Sequence, residues 1–105
     1  MRALAVDLGG AKTAIAVIDE EGCIVEKRKM PAAQSFEETV RQIASACDAS
    51  VDAAGVIVPG IYETSTGNAW APNLWGRDFY PLRSALEQTL SVPAAFRQRL
   101  RCVVC

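Results

Sequence analysis

Residues 5–19 bring together groups that suit the binding of a polyphosphate. The stretch reads AVDLGGAKTAIAVID, and in it Asp7 follows an apolar run. Gly9 and Gly10 would let backbone N–H groups approach a phosphate without a Cβ in the way, and Lys12 and Thr13 add a cation and a hydroxyl. A carboxylate beside phosphates requires a metal between them, and Mg²⁺ binds through carboxylates, waters and phosphate oxygens.

A simpler interpretation of the same residues needs no ligand. Gly9 and Gly10 would supply positive φ angles for a tight hairpin turn, and Asp7 would be a solvated turn residue. The stretch is neither a Walker A sequence nor a G-x-G-x-x-G, because the spacing and the strand-turn-helix context are absent. The residues by themselves leave both interpretations open.

The composition predicts one domain with a modest core. The chain has 105 residues, of which 50% are hydrophobic, and a second full domain does not fit. Its net charge is −1, from 11 basic and 12 acidic residues, and the basic residues are scattered until the last stretch. We therefore expect no nucleic acid and no anionic membrane as partner, and either a small molecule or none.

The sequence gives no signal for export or for a membrane anchor. No apolar run approaches the roughly 20 residues that span a bilayer, and Asp7 interrupts the apolar core that a signal peptide needs. The cysteines are too scattered for a disulfide-dense scaffold; they are Cys23, Cys47, Cys102 and Cys105. We expect reduced thiols and a cytoplasmic protein, and the C-x-x-C at the end lacks the second ligand pair of a zinc site.

The first half of the chain predicts a three-stranded antiparallel meander followed by a helix. RALAV, TAIAVID and GCIVEKRK have the alternating or apolar character of strands, and glycines mark the turns at Gly9–Gly10 and Gly22. The segment SFEETVRQIASACDA predicts a helix, because Ser35 and Glu38 form a capping box ahead of apolar residues at helical spacing.

The second half adds strands and a helix, which together predict a mixed α/β sheet with helices packed on it. The apolar run 53–60 is typical of a strand beside the meander that is buried on both faces. IYETSTGNAWAPNLWGRDF is rich in turn-forming residues, so we interpret it as an irregular or hairpin segment that carries function. YPLRSALEQTL predicts a helix with Pro81 in its first turn and a stripe of Leu82, Leu86 and Leu90, and SVPAAF predicts a last strand.

Three separated motifs together resemble the ROK family, which holds bacterial sugar kinases such as glucokinase, fructokinase and N-acetylmannosamine kinase, and related repressors. The motifs are DLGGAKTAIAVIDEEGCIV, GVIVPGIYETSTGNAWAPNLWG and the helix that leads to SVP. The resemblance implies the actin-like, RNase H-like ATPase fold, with residues 1–95 as its N-terminal lobe. A repressor is disfavoured, because no helix-turn-helix precedes Met1. Another actin-like kinase, such as an N-acetylglucosamine kinase, is the alternative within this fold.

The resemblance also implies ligands and the residues that bind them. Asp7, Gly9, Gly10, Lys12 and Thr13 match the family's first phosphate-binding motif, which implies ATP and Mg²⁺ as cofactors, with Asp7 acting on Mg²⁺ through water.

A sugar site is implied by two further positions. Gly60 and Asn73 match positions that face the sugar, and amide and backbone groups beside an apolar surface are what recognise an uncharged sugar. Trp70 or Trp75 could supply the apolar surface. Without the motif match, Asn73 would be a turn-stabilising residue and the tryptophans would cover the core.

Two positions depart from the family's pattern. Ala11 stands where the family usually has Thr, which removes a hydroxyl near the phosphates. Arg99 stands where the family has the catalytic Asp, and an arginine cannot act as a base because it stays protonated. We therefore assign no catalytic residue and expect a truncated family member that is inactive alone. A non-catalytic lobe that binds sugar or forms a homo-oligomer is the alternative.

Residues 96–105 are interpreted as a divergent tail, and the chain has no His and no zinc motif of the kind many members carry. If Phe96 is encoded by TTC and both Arg97 and Arg99 by CGA, the frame one base later spells Asp, then Asn or Ser, then Asp. That is the family's motif in its expected register. We therefore expect the tail to be out-of-frame readthrough.

Overall fold

A five-stranded mixed sheet and a three-stranded antiparallel sheet build the fold, as a computed structural model shows for residues 2–33, 35–46 and 51–98. The elements in chain order are β1 (Ala3–Leu8), β2 (Lys12–Ile18), β3 (Ile24–Pro31), α1 (Phe36–Ala46), β4 (Ala53–Val58), β5 (Ile61–Glu63), β6 (Asn68–Trp70), α2 (Pro72–Trp75), β7 (Phe79–Tyr80), α3 (Leu82–Leu90) and β8 (Ala94–Gln98).

The large sheet has the strand order β3-β2-β1-β4-β8. β1 pairs antiparallel with β2, and β2 pairs antiparallel with β3, so the predicted meander is confirmed. β4 joins the meander as a parallel neighbour of β1, and β8 is parallel to β4. β8 runs through position 95, where the sequence suggested a boundary, because Phe96 pairs with Val56.

The two faces of the large sheet differ in the size of their side chains. Leu4, Val6 and Leu8 of β1 are at most 2% exposed, and they share one core with residues of α1 and α3. The opposite side, which we call the open face, is the side that carries Ala5, Asp7, Ala14, Ala16, Gly55 and Ile57.

The expectation that β4 is buried on both faces is wrong. Ala54, Val56 and Val58 are buried, whereas Gly55 and Ile57 lie on the open face and are exposed. The strand is uniformly apolar in sequence, and that pattern does not show which of its faces is covered.

The helix α1 begins where the capping signal predicts. Ser35 Oγ accepts a hydrogen bond of 3.2 Å from the backbone N–H of Glu38. One turn later, the buried Thr39 donates its hydroxyl to the Ser35 carbonyl and accepts a hydrogen bond of 2.8 Å from Trp75 Nε1. Trp75 also packs edge-on against Phe36, so α1 and α2 are joined by a buried polar contact and an aromatic one.

The segment between β4 and α3 is more regular than its composition suggests. β5 and β6 form a hairpin, and β7 adds a third strand through Tyr80 and Phe79. Tyr62 and Ala69 from this small sheet join the same core as β1. α3 presents the predicted leucine stripe to that core, and Pro81 is its N-cap rather than a residue of its first turn.

The helices in the described part of the chain are short. α1 has 11 residues and α3 has 9, and no helix there is long and apolar enough to cross a membrane. Cys23 is an exposed free thiol. The other three cysteines lie outside the described residues.

Replacing Thr39 by Val tests the buried contact between the helices. The substitution keeps the shape but leaves the Trp75 indole N–H without its acceptor, so we expect the free energy of unfolding to fall by about 1 to 3 kcal/mol. Urea denaturation measures this. The same change at Thr89, which is exposed on α3, should alter stability by less than about 0.5 kcal/mol. Equal losses at the two positions would contradict a specific role for the Thr39 hydroxyl.

Candidate phosphate and sugar site

The carboxyl ends of the three parallel strands meet at one edge of the large sheet. Gly9 and Gly10 follow β1, and Pro59 and Gly60 follow β4. β8 ends at the same edge, since Gln98 pairs with Val58. Ligands of open α/β sheets bind outside the carboxyl ends of the strands, so the predicted residues lie where such a site is expected. Arg99 lies outside the described residues.

The turn between β1 and β2 is closed by a backbone hydrogen bond. Gly9 N–H donates to the carbonyl of Lys12 at 3.0 Å, and a Cβ built on Gly9 would lie 2.6 Å from that same oxygen. Among the described residues, the glycines with positive φ are Gly22, Gly67 and Gly76. The expectation of positive φ at Gly9 and Gly10 is therefore wrong, and Gly9 is needed for the close approach of two backbone segments instead.

Gly10 differs from Gly9, because no contact within the described part of the chain requires a glycine there. A Cβ built on Gly10 would have no atom within 4 Å, and its φ is not positive. Within the described residues, the backbone N–H groups of Gly10 and Ala11 make no hydrogen bond, while the carbonyl of Ala11 accepts one from Ala32 N–H. The tip of the turn thus offers two successive backbone donors, with open space where a Cβ of residue 10 would lie.

The charged residues of the motif lie on the open face, and the hydroxyl does not. Asp7 pairs with Ala14, and Lys12 is two residues before Ala14, so both belong to the open face. Asp7 is half-buried and its Oδ1 atom is buried, whereas Lys12 is exposed. Thr13 pairs with Leu8 on the opposite face and is only 1% exposed, so it does not present its hydroxyl at the turn surface.

The packing of the chain around Gly60 requires a glycine at this position. A Cβ there would overlap the carbonyl oxygen of Trp70, because the start of β5 runs close to the end of β6. Trp70 is half-buried, donates its indole N–H to the Arg77 carbonyl at 2.9 Å and stacks on Phe79. Asn73 lies in α2.

Trp75 belongs to the core. It is 6% exposed and is held by Thr39 and by the rings of Phe36 and Tyr80. The structure therefore supports the simpler of the two interpretations for this tryptophan.

One basic residue near the site was not recognised from the sequence. Arg97 pairs with Ile57, which in turn pairs with Asp7, so the three side chains form one row across β8, β4 and β1. The parallel register carries this information, and sequence alone gives no register between strands 40 residues apart.

The described residues offer one carboxylate at the turn and no dedicated metal cage. No group of three or more His, Cys, Asp or Glu side chains in this part of the chain could hold a metal ion. A single carboxylate is the donor set that suits a Mg²⁺ ion whose other ligands are waters and phosphate oxygens, so Asp7 fits the implied metal.

A mixed sheet with a meander, parallel outer strands and a glycine turn after the first strand defines the N-terminal lobe of an actin-like ATPase fold. The model of the ROK family matches residues 3–104, and the chain belongs to the ROK family. The predicted family and fold class are thereby confirmed.

The relatives include two kinds of sugar kinase. The chain is 32% identical over 97 residues to a glucokinase of Streptomyces coelicolor. This match covers 86% of this chain and 30% of that protein. The chain is 30% identical over 99 residues to an N-acetylmannosamine kinase of Escherichia coli O1:K1, covering 89% of this chain and 34% of that one.

A solved structure shows the same fold. The chain superposes with a TM-score of 0.78 and 28% identity on a ROK family glucokinase from Streptomyces griseus in complex with glucose and AMPPNP. The match covers 93% of this chain and 33% of that one. The chain thus spans about a third of the length of the relatives it matches.

Alanine substitutions should separate the two kinds of glycine at this edge. Gly60→Ala forces a Cβ into the Trp70 carbonyl, and we expect it to cost about 3 kcal/mol of stability or more. Gly10→Ala has open space and should change the free energy of unfolding by less than about 0.5 kcal/mol. Thermal and urea unfolding of both variants measure the difference. A large loss at Gly10 would show that the turn itself requires glycine there.

Proposed function

We propose that this chain is the N-terminal lobe of a ROK sugar kinase and binds the phosphates of ATP at the β1–β2 turn and a hexose at the same edge of the sheet. The reaction served by such a lobe is the transfer of a phosphoryl group from ATP to a sugar hydroxyl. The observation that carries the proposal is the tip of the turn, where no described residue requires a glycine at position 10 and the backbone N–H groups of Gly10 and Ala11 donate to no acceptor among the described residues.

Several residues of the β1–β2 turn would bind the phosphates together. The N–H groups of Gly10 and Ala11 donate to phosphate oxygens, and the missing Cβ of Gly10 lets those oxygens come close. Lys12 neutralises negative charge from the exposed start of β2. Asp7 orients Mg²⁺ through water, and Thr13 supports the turn from the core side. When bound, ATP with Mg²⁺ supplies the phosphoryl group and the counter-charge that phosphoryl transfer requires.

The sugar would lie beside the corner between β4 and β5. Gly60 lets this corner close against Trp70, which places backbone groups at the carboxyl edge next to β1. Asn73 would add an amide that donates to one sugar hydroxyl and accepts from another. Relatives that are a glucokinase and an N-acetylmannosamine kinase support a hexose or an N-acetylated hexose as the substrate class.

The 105 residues by themselves would bind ATP and the sugar but would not catalyse phosphoryl transfer. The position of the family's catalytic base is occupied by Arg99, which cannot accept the proton of the sugar hydroxyl. The alternative, a non-catalytic lobe that self-associates, is favoured by the apolar part of the open face, which leaves Ile57 40% exposed.

Binding of Mg²⁺ and AMPPNP to the isotope-labelled chain tests the phosphate site. We expect the N–H signals of Gly9, Gly10 and Ala11 to shift with nucleotide, and Asp7→Asn to weaken the binding by about tenfold, because it removes the charge that holds the metal. Gly10→Ala should weaken binding while leaving the fold intact.

Asp78→Asn is the matched control, because it removes the same charge from an exposed loop outside the site. If the two Asp substitutions weakened nucleotide binding equally, the effect would come from the net charge of the chain and not from Asp7 in the site. Shifts confined to residues away from the turn would contradict the proposed site.

A coupled assay of ADP release, with ATP, Mg²⁺ and a panel of hexoses, tests the expected inactivity. The chain should show no turnover, and a version with the genomic reading frame shifted by one base after Ala95 should show it. Phosphorylation by the 105-residue chain would contradict the assignment of Arg99. Sequencing the DNA across residues 90–105 provides an independent check, because an Arg codon that does not end in GA at position 97 or 99 excludes the frameshift.

A further inference from the structure

Trp70 connects the two parts of the proposed sugar site. It is the last residue of β6 and pairs with Ile61 at the start of β5. Its carbonyl lies so close to Gly60 that a Cβ on Gly60 would overlap it. Its indole Nε1–H donates to the Arg77 carbonyl at 2.9 Å, and Trp70 and Arg77 flank α2, which contains Asn73. The backbone of Trp70 therefore contacts one proposed sugar residue, and its side chain spans the segment that carries the other.

The indole hydrogen bond joins the two ends of that segment. Trp70 and Arg77 are seven positions apart, and α2 lies between them. Gly76 ends α2 with a φ of 86°, a conformation that favours glycine, and the Arg77 carbonyl that follows is the acceptor of the indole. The segment 70–77 is therefore closed by a side chain at its first residue and a backbone group at its last.

The segment is held differently on its two sides. On the core side, Trp75 donates its indole N–H to the buried Thr39 hydroxyl at 2.8 Å. On the solvent side, the bond from Trp70 to Arg77 is exposed. Loss of a buried bond leaves a donor without an acceptor, whereas water can replace the partner of an exposed one. The core side therefore secures the fold, and the exposed bond can restrict the position of the segment without being required for folding.

The donor of Trp70 is already used within the chain. A tryptophan side chain has a single hydrogen-bond donor, and here the Arg77 carbonyl accepts it. Phe79 stacks on the indole ring, with the two ring centroids 6.4 Å apart and an interplanar angle of 29°. A hydrogen bond from Trp70 to a sugar would break the bond that closes the segment, so these contacts favour an indirect role.

We propose that Trp70 is a positioning residue of the sugar site. Its indole N–H holds Arg77, and this bond keeps the backbone of α2, with Asn73, at a fixed separation from Gly60. The inference rests on the proposed function, because it takes Gly60 and Asn73 as residues that bind the sugar. It adds a side chain that determines the affinity for the sugar through the position of another residue.

Trp70→Phe tests the inference in the full chain, with glucose and Mg²⁺–AMPPNP as the probes. The substitution removes the indole N–H and keeps an aromatic ring beside Phe79. We expect the dissociation constant for glucose to rise about fivefold, because the segment loses one hydrogen bond. The dissociation constant for AMPPNP should change by less than about twofold, because the β1–β2 turn is untouched.

Phe79→Leu is the matched control. It removes the ring that stacks on Trp70 and keeps the indole hydrogen bond. We expect it to change the dissociation constant for glucose by less than about twofold, because the position is an exposed one outside the segment. Thermal unfolding of both variants checks that each is folded.

Amide hydrogen exchange provides a second readout that needs no sugar. Leu74 and Trp75 donate their backbone N–H groups to the Ala71 carbonyl inside the segment. Trp70→Phe should speed the exchange of both amides about fivefold, because the segment opens more often. The amide of Val56, in the middle of the large sheet, should exchange at the same rate as before.

The outcomes separate this inference from the proposed function. If the unchanged chain binds no glucose, the proposed sugar site is wrong, and this inference is wrong with it. If the chain binds glucose and Trp70→Phe binds it equally well, or exchange at Leu74 and Trp75 is unchanged, the inference alone is wrong. Equal weakening of glucose and AMPPNP binding, or equally faster exchange at Val56, would assign Trp70 to the stability of the whole lobe and also overturn the inference.

Discussion

The pairing of β1 with an antiparallel strand on one side and a parallel strand on the other is the constraint on which the rest of the structure depends. Side chains alternate along a strand, so this register points Leu4, Val6 and Leu8 at the helices and Asp7 at the open face. A slip of one residue would bury the carboxylate and expose the leucines. The same register ends β1 and β4 at one edge, which brings the Gly9–Gly10 turn next to the corner at Gly60.

Apolar burial stabilises the packing of the helices on the sheet, together with one buried polar contact in which every donor has an acceptor. Thr39 satisfies the Trp75 indole N–H inside the core, and the Ser35 carbonyl satisfies the Thr39 hydroxyl. Since an unsatisfied buried donor costs free energy, these bonds fix how α1 meets α2. α2 contains Asn73. The contact of α2 with the first turn of α1 therefore helps to set the position of the residue that we propose as a sugar ligand.

Much of the fold could be predicted from local patterns. Alternation in β1 and β2, the cap at Ser35 and the leucine stripe of α3 are short-range signals, and each is confirmed. β7 could not be found in this way, because Phe79 and Tyr80 are too few to show a period and become a strand only by pairing with β6. The exposed side of β4 was missed for a related reason, since an apolar run does not show whether a covering element exists.

The three glycines of the candidate site show why its chemistry was harder to predict than the fold. Gly9 is explained by the backbone of Lys12, and Gly60 by the carbonyl of Trp70, so both are structural whatever else they do. Gly10 has no such explanation among the described residues, because a Cβ there would meet no atom within 4 Å and its φ is not positive. A sequence shows three identical residues here, and only the surroundings of each show that the described residues explain Gly9 and Gly60 and leave Gly10 unexplained.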